Sequence, residues 1–392
     1  MIDWQEARAR IIALGTPIEA GTVALSQATG RWAATDTLAR RTQPARDLSS
    51  MDGYAIRFDD LPGPWQVVGT AAAGLRYVGV VGAGGAVRIF TGAAVPDGSD
   101  TIVVQEDVRC DGEMISLSGN APPTRASHVR PAGSDFTAGH TLISAGSRIT
   151  PARIGLAAAG GHGSLPVRRP VRVALLSTGD ELVPPGLDAG DDRLPDANGA
   201  MLAALLGGLP IDVIDLGIVP DDSDALAEVF ARANEWDILV TSGGASVGDH
   251  DLVRPALVAA GAVVDFWKVA MRPGKPLMAG RLGDCVVLGL PGNPVSAFVT
   301  ATLFLKPLIA HLSGASEPCS PLIGAEIAAP LPATGPRTDF VRARWDAGRL
   351  APLASLDSGA LSPLALADAL VVRQAGSSAL FAGDRVEAIL LD

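Results

Sequence analysis

Regular alternation of apolar strands and helices between residues 170 and 315 predicts a parallel, doubly wound α/β domain within a multidomain α/β-plus-β chain. Two further observations support this class. Runs such as Val171–Leu176, Ile238–Val240 and Val286–Leu290 are apolar throughout, as strands covered on both faces must be. The regions on either side instead carry short β-like runs broken by Gly, Pro and Asp, which predict separate β-rich modules.

From the N-terminus, Met1–Leu14 carries Asp3, Glu6, Arg8 and Arg10 among apolar residues, the pattern of an amphipathic helix and not of a signal peptide. A turn at Gly15–Pro17 and a second helix near Leu25–Arg31 follow. Trp65–Val68, Val87–Phe90 and Thr101–Val104 read as strands of an inserted module. Thr150–Pro151 opens a helix that ends at Gly160–Gly161. In the α/β region the strands are Val171–Leu176, Ile211–Leu216, Ile238–Val240, Val263–Val269 and Val286–Leu290. The helices between them hold Met201–Leu206, a segment capped by Ser223, Leu252–Ala260 and Val295–Leu305. Short strands at Phe340–Trp345, Leu370–Arg373 and Arg385–Leu391 predict a small C-terminal β-barrel. The expected domains are 1–50 with 141–169 (helical), 51–140 (inserted, β-rich), 170–315 (α/β) and 316–392 (β-barrel).

Composition narrows the function. At 392 residues the chain exceeds one ordinary core, and 48% hydrophobic content argues against disorder. A net charge of −11 disfavours nucleic acid and anionic membrane as partners. The three cysteines, Cys110, Cys285 and Cys319, show neither zinc-site spacing nor a disulfide framework. The apolar run Val295–Leu305 stops at Lys306, too short to span a bilayer, so a soluble, cytoplasmic protein is expected.

Ligands of open parallel sheets bind beyond the carboxyl ends of the strands. The segments found there are Ser177-Thr178-Gly179-Asp180-Glu181, Thr241 to Asp251, Met271 to Pro276 and Pro291 to Ser296. Gly243, Gly244 and Gly248 allow backbone N–H groups close to an anion, and Pro291–Ser296 leads into a helix N-terminus that favours an oxyanion. Lys268, Arg272 and Lys275 supply local positive charge, while Glu181, Asp249 and Asp251 are hard oxygen ligands suited to Mg²⁺. Each feature has an ordinary explanation: Gly-Gly is often only a turn, and acids favour first helical turns. Four such segments on one edge point to a site for a phosphorylated substrate with a divalent ion. His250, between two acids in a loop, is better explained by solvation than by metal binding.

The ordered motifs Ser50-Met-Asp-Gly-Tyr-Ala55, Thr91-Gly-Ala93, Arg130-Pro-Ala-Gly-Ser-Asp135, Ser177-Thr-Gly-Asp-Glu-Leu182, Ser242-Gly-Gly-Ala-Ser-Val-Gly248, Met271-Arg-Pro-Gly-Lys-Pro276 and Leu290-Pro-Gly-Asn-Pro294 resemble the MoeA family of molybdenum insertases, similar to the E domain of gephyrin. The resemblance runs almost end to end. It implies an elongated homodimer that takes adenylylated molybdopterin and molybdate, uses Mg²⁺ and releases AMP and molybdenum cofactor. It also implies a pathway partner, the molybdopterin adenylyltransferase. On this chain it implies Glu181 and Asp251 as metal ligands, and Lys275 with Arg272 as holders of molybdate or phosphate. Ser177, Thr178, Gly179, Ser242, Gly243, Gly244, Ser246, Pro291, Gly292, Asn293 and Ser296 would contact substrate, with Ser358 lining the site from the tail. Asp52, Thr91 and Asp135 would complete the site from the partner subunit. Arg272 stands where the family often has Lys, so a planar fork replaces a point charge there. A molybdopterin adenylyltransferase on the same α/β fold, or a non-catalytic pterin-binding scaffold, are the competing readings. Flanking modules count against the first, and the lack of long linkers or fused domains counts against the second.

Overall fold

The computed structural model describes residues 1–243 and 252–391. Gly244, Ser246, Gly248, Asp249, His250 and Asp251 therefore lie outside the described residues. The chain divides into two compact units, 1–35 with 145–150 and 165–392, and 36–144 with 151–164.

The first unit is built around a six-stranded sheet in the order Ile211–Val219, Val171–Thr178, Ile238–Ser242, Cys285–Leu290, Pro276–Leu282, Val263–Lys268. The first four strands are parallel, which sends their carboxyl ends to a single edge. Pro276–Leu282, not expected from the sequence, runs antiparallel to both of its neighbours and forms a hairpin with Cys285–Leu290. Its Pro276 start hides it in the sequence, because a strand that begins in a Gly-Lys-Pro turn reads as loop. Helices Ala197–Leu206, Ser223–Phe230 and Val253–Ala259 connect the strands. Asp222, one residue before the expected Ser223, caps the second of these by accepting from the Asp224 and Ala225 amides.

The apolar run expected to stop at Lys306 continues as one helix, Pro294–Leu312, with a π-helical stretch at Ala301–Leu305. Lys306 is only partly buried and leaves the core face apolar, so it does not end the helix. This helix is long and apolar enough to cross a membrane by composition, but 83% of its apolar window is buried inside the protein. It packs in the same core as Val173, Val240 and Leu288 of the sheet, which makes it a core helix.

The N-terminal helix Trp4–Leu14 also belongs to this core, through Trp4, Ala7 and Ile11. Trp4 meets Phe340 of the C-terminal module edge-on, with ring centroids 5.3 Å apart, a favoured aromatic geometry. The segment expected as a second helix near Leu25–Arg31 holds one 3-10 turn, Leu25–Gln27, preceded by the strand Ala20–Ala24. The strand pairs with Ser164–Arg168. Helices Trp4–Leu14 and Pro151–Ala159 fall in different units.

The C-terminal module is an antiparallel array in the order Thr338–Asp346, Ala369–Arg373, Arg385–Leu390, Ile323–Glu326, with Arg349–Pro352 on the free side of Thr338–Asp346. A bridge between Ile327 and Leu350 joins the two ends, so the array closes as the expected barrel. Met271–Arg272, leaving the α/β sheet, adds in parallel to Thr338–Asp339.

The second unit holds a six-stranded sheet in the order Thr101–Val104, Gly53–Ile56, Gly85–Ile89, Trp65–Ala71, Met114–Leu117, Val108–Asp111. Helix Pro151–Ala159 belongs to this unit and starts and stops as expected.

At the amino edge of the α/β sheet, Asp237 accepts hydrogen bonds from both terminal nitrogens of Arg169, at 2.6 and 2.8 Å, and from the Arg172 amide and guanidinium. Burial alone would raise the Asp237 pKa, but the Arg169 and Arg172 hydrogen bonds outweigh it and hold the carboxyl at about 2. A folded-state pKa below the unfolded value adds stability that is present above pH 4 and is lost as pH falls through 2. Asp237→Asn should therefore lower stability at pH 7 by on the order of 2 kcal/mol. In denaturant titrations the deficit should shrink between pH 4 and 2; a deficit unchanged over that range would show that charge is not its source.

Candidate functional site

Parallel register brings the expected strand-end residues together. Ser177 lies directly beside Ser242, and Ser242 beside Leu290, so three strand ends form one row. Ser177, Thr178 and Ser242 are each at most 4% exposed. Gly243 turns there with φ +96, and a side chain at this position would meet the Thr178 carbonyl oxygen at 2.5 Å. Only glycine lets the chain leave the strand so close to its neighbour. Gly179, at φ +146, takes a backbone conformation that side chains rarely adopt, and the Glu181 carboxylate folds back over it.

From Glu181 the chain forms a short ribbon, Leu182–Val183 against Leu194–Pro195, and enters helix Ala197–Leu206 through its cap, Asp196. This return places Asn198 over the row. Its Nδ2 donates to Ser242 Oγ at 2.9 Å and to the Gly292 carbonyl at 2.7 Å. Asn198 was not anticipated from the sequence. The Asp196-Ala197-Asn198 run is a helix-start signal, but its reach to two other loops exists only in three dimensions.

Ser358 lies against the turn that leads into helix Pro294–Thr300. Asn293 Nδ2 donates to Ser358 Oγ at 3.0 Å, and the Val295 amide donates to the Ser358 carbonyl at 2.9 Å. Pro291, in this turn, and Ser296, in the first turn of helix Pro294–Thr300, are both buried. The loop that carries Ser358 is held by Arg342, a second residue the sequence did not single out. The residue is 5% exposed, and its guanidinium donates to the carbonyls of Ser355, Asp357 and Ala360 at 2.5, 3.0 and 3.0 Å. Burial lowers the Arg342 pKa from its ordinary value, only partly countered by nearby Asp357.

Of the expected cations, Lys275 is exposed and makes no side-chain hydrogen bond among the described residues. Arg272 is engaged: its Nη2 donates to Asp339 Oδ2 at 2.5 Å, because Met271–Arg272 pairs with the C-terminal strand that carries Asp339. Its Nε and Nη1 make no hydrogen bond among the described residues.

Glu181 is exposed and its carboxylate accepts no hydrogen bond among the described residues. No group of three or more acidic, His or Cys side chains there could hold a metal by itself. A single free carboxylate at a strand end fits the way Mg²⁺ is commonly held, by one or two carboxylates together with substrate phosphates.

In the other unit, Asp52 and Thr91 are brought together. Asp52 Oδ1 accepts from both the amide and the hydroxyl of Thr91 at 2.7 Å. These bonds, the amide first, hold the Asp52 carboxyl below its ordinary pKa. Asp135 lines a separate cavity of about 320 Å³ with Gln43, Pro44, Leu48, Arg130 and Ser134. Segment 47–52 links the two places, since Leu48 lines the cavity while Ser49 exchanges backbone hydrogen bonds with Gly92 and Ala93. A larger cavity, about 630 Å³, lies between helices Ser223–Phe230 and Val253–Ala259. Alanines dominate its walls, with Ser223, Asp224 and Asn234 as its polar lining residues and no cation among them to hold an anionic substrate.

The chain matches the family models of the MoeA N-terminal region (domain I and II) at residues 2–161, a probable molybdopterin binding domain at 174–311 and the MoeA C-terminal region (domain IV) at 325–391. It is 36% identical to the molybdopterin molybdenumtransferase of Haemophilus influenzae, covering 81% of this chain and 79% of that protein. It is 32% identical to that of Staphylococcus aureus, covering 99% and 95%. Among solved structures, the molybdopterin biosynthesis MoeA protein from Pyrococcus horikoshii superposes with a TM-score of 0.84 at 27% identity, covering 100% of this chain and 99% of that one.

Replacing Arg342 by Ala leaves three loop carbonyls without their donor and should destabilise the protein by about 2–4 kcal/mol. Amide hydrogen exchange in 355–361 should accelerate more than in the barrel strands. Uniform acceleration across the barrel would show that Arg342 supports the barrel as a whole and not this loop.

Proposed function

We propose, from the premise that the chain belongs to the MoeA family of molybdopterin molybdenumtransferases, that it inserts molybdate into adenylylated molybdopterin and releases AMP and molybdenum cofactor. The observation that carries this reading is the row of Ser177, Ser242 and the Pro291–Asn293 turn at one sheet edge, with Ser358 fastened beside it. An adenylyltransferase reading accounts for the α/β domain but not for the family matches on both sides of it.

In this reading the buried hydroxyls and backbone of Ser177, Thr178, Gly179, Ser242 and Gly243 receive the pterin and its phosphate, together with Gly244 and Ser246. Lys275 holds the molybdate oxyanion, since its ammonium is not committed elsewhere among the described residues. Arg272, anchored by Asp339, presents its remaining donors in a fixed direction. Glu181 and Asp251 would hold Mg²⁺, which supplies neutralising charge for pyrophosphate cleavage. Asp52, kept ionised by Thr91, and Asp135 serve the site of the partner subunit in a homodimer. The adenylyltransferase of the same pathway supplies the substrate, and the reaction takes place in the cytoplasm.

The assay supplies adenylylated molybdopterin, Mg²⁺ and molybdate, and reads AMP and active cofactor. Glu181→Ala should abolish Mg²⁺-dependent AMP release without unfolding the protein. Lys275→Ala should raise the half-saturating molybdate concentration at least about tenfold while pterin affinity changes little. Full activity of Glu181→Ala at limiting Mg²⁺ would remove the metal assignment. Lost pterin affinity with intact molybdate dependence would move Lys275 to the pterin end.

Subunit sharing has its own test. Inactive Asp52→Ala and Glu181→Ala chains, mixed under exchange, should form half heterodimers with one intact site each and recover about a quarter of wild-type activity. Verified heterodimers without recovered activity would place Asp52 and Glu181 in the same subunit's site.

A further inference from the structure

The geometry points to Asn198 as a positioning residue that makes Ser242 a hydrogen-bond donor toward bound molybdopterin. A primary amide has two N–H donors and one acceptor oxygen. The atom 2.7 Å from the Gly292 carbonyl must be nitrogen, since two acceptors would repel, and this fixes the orientation of the amide. The second N–H is then committed to Ser242 Oγ at 2.9 Å. Ser242 is an acceptor in that bond, so its own proton is directed elsewhere, and no acceptor among the described residues takes it. The hydroxyl stands at the end of its strand beside Gly243, next to Ser177 in the row. Its free donor therefore suits an acceptor oxygen on a ligand.

The other end of the amide supports this assignment. Asn198 Oδ1 is buried and has no hydrogen-bond partner. A buried acceptor without a partner is unfavourable for stability, so the side chain is arranged for its two donors and not for the fold alone. Those donors tie two separate segments, the end of Ile238–Ser242 and the turn at Gly292, to the first turn of helix Ala197–Leu206. Asn198 thereby holds the Pro291–Asn293 turn in place and sets the polarity of Ser242 at once.

This inference rests on the molybdopterin-binding reading of the site, and its test separates the two. Asn198→Asp keeps the shape but replaces both donors with acceptors. Ser242 would then donate to the new carboxylate, and the Gly292 carbonyl would face an oxygen. Equilibrium binding of molybdopterin to the full-length chain should weaken about tenfold in Asn198→Asp and in Ser242→Ala. Because both act through one hydroxyl, the double variant should be less impaired than the product of the single losses, by about fivefold. Amide exchange at Gly292 and Asn293 should accelerate in Asn198→Ala and Asn198→Asp but not in Ser242→Ala. Wild-type affinity in Asn198→Asp, or losses that simply multiply, would overturn the donor role. Unchanged exchange would overturn the loop-holding role. If the wild-type chain fails to bind molybdopterin, the site reading falls and the donor role with it, while exchange still decides the loop-holding role.

Discussion

Parallel pairing of the buried strands Val171–Thr178, Ile238–Ser242 and Cys285–Leu290 is the constraint on which the rest of this protein depends. Parallel strands cannot be joined by tight turns, so each crossover crosses the sheet and returns all carboxyl ends to one edge. Ser177 and Ser242 are neighbours because their strands are in register and not because the two residues are close in sequence. Strands this apolar carry few polar side chains along their length, so polarity accumulates near their carboxyl ends, at Ser177, Thr178, Thr241 and Ser242.

What stands around that edge is held by groups that do not touch one another in sequence. Asn198 reaches it from the first turn of a helix, and Arg342 holds the Ser358 loop against it from the barrel. Asp339, also from the barrel, engages Arg272. The barrel is thus part of the site's support, joined to the α/β sheet by the Met271–Arg272 strand and by the packing of Trp4 on Phe340. A free-standing α/β domain with the same strand-end motifs would lack these supports.

The negative overall charge gives this arrangement a further meaning. With a net charge of −11, the chain repels anions at long range. In the proposed reading, an anionic substrate would be selected by short-range donors whose direction is set in advance: strand-end hydroxyls, a lysine at a turn and an arginine braced by a carboxylate. Directional donors fixed before binding cost less reorganisation than mobile charges.

The sequence by itself determined the class of fold, the order of most strands and helices and the family, because apolar periodicity and seven ordered motifs are local properties. Helix Pro151–Ala159 and the strands Ile238–Ser242 and Thr101–Val104 were legible for that reason. The antiparallel strand Pro276–Leu282 was not, since turn residues at its start masked it. Nor was the full length of helix Pro294–Leu312, because one lysine on a partly exposed face resembles an end. Only the tertiary structure decided that Asn198 bridges Ser242 and Gly292, that Arg272 is paired with Asp339, and that Arg342 supports the Ser358 loop. Each of these contacts joins residues more than ten positions apart, and a hydrogen bond between distant residues is set by packing and register, which no local pattern encodes.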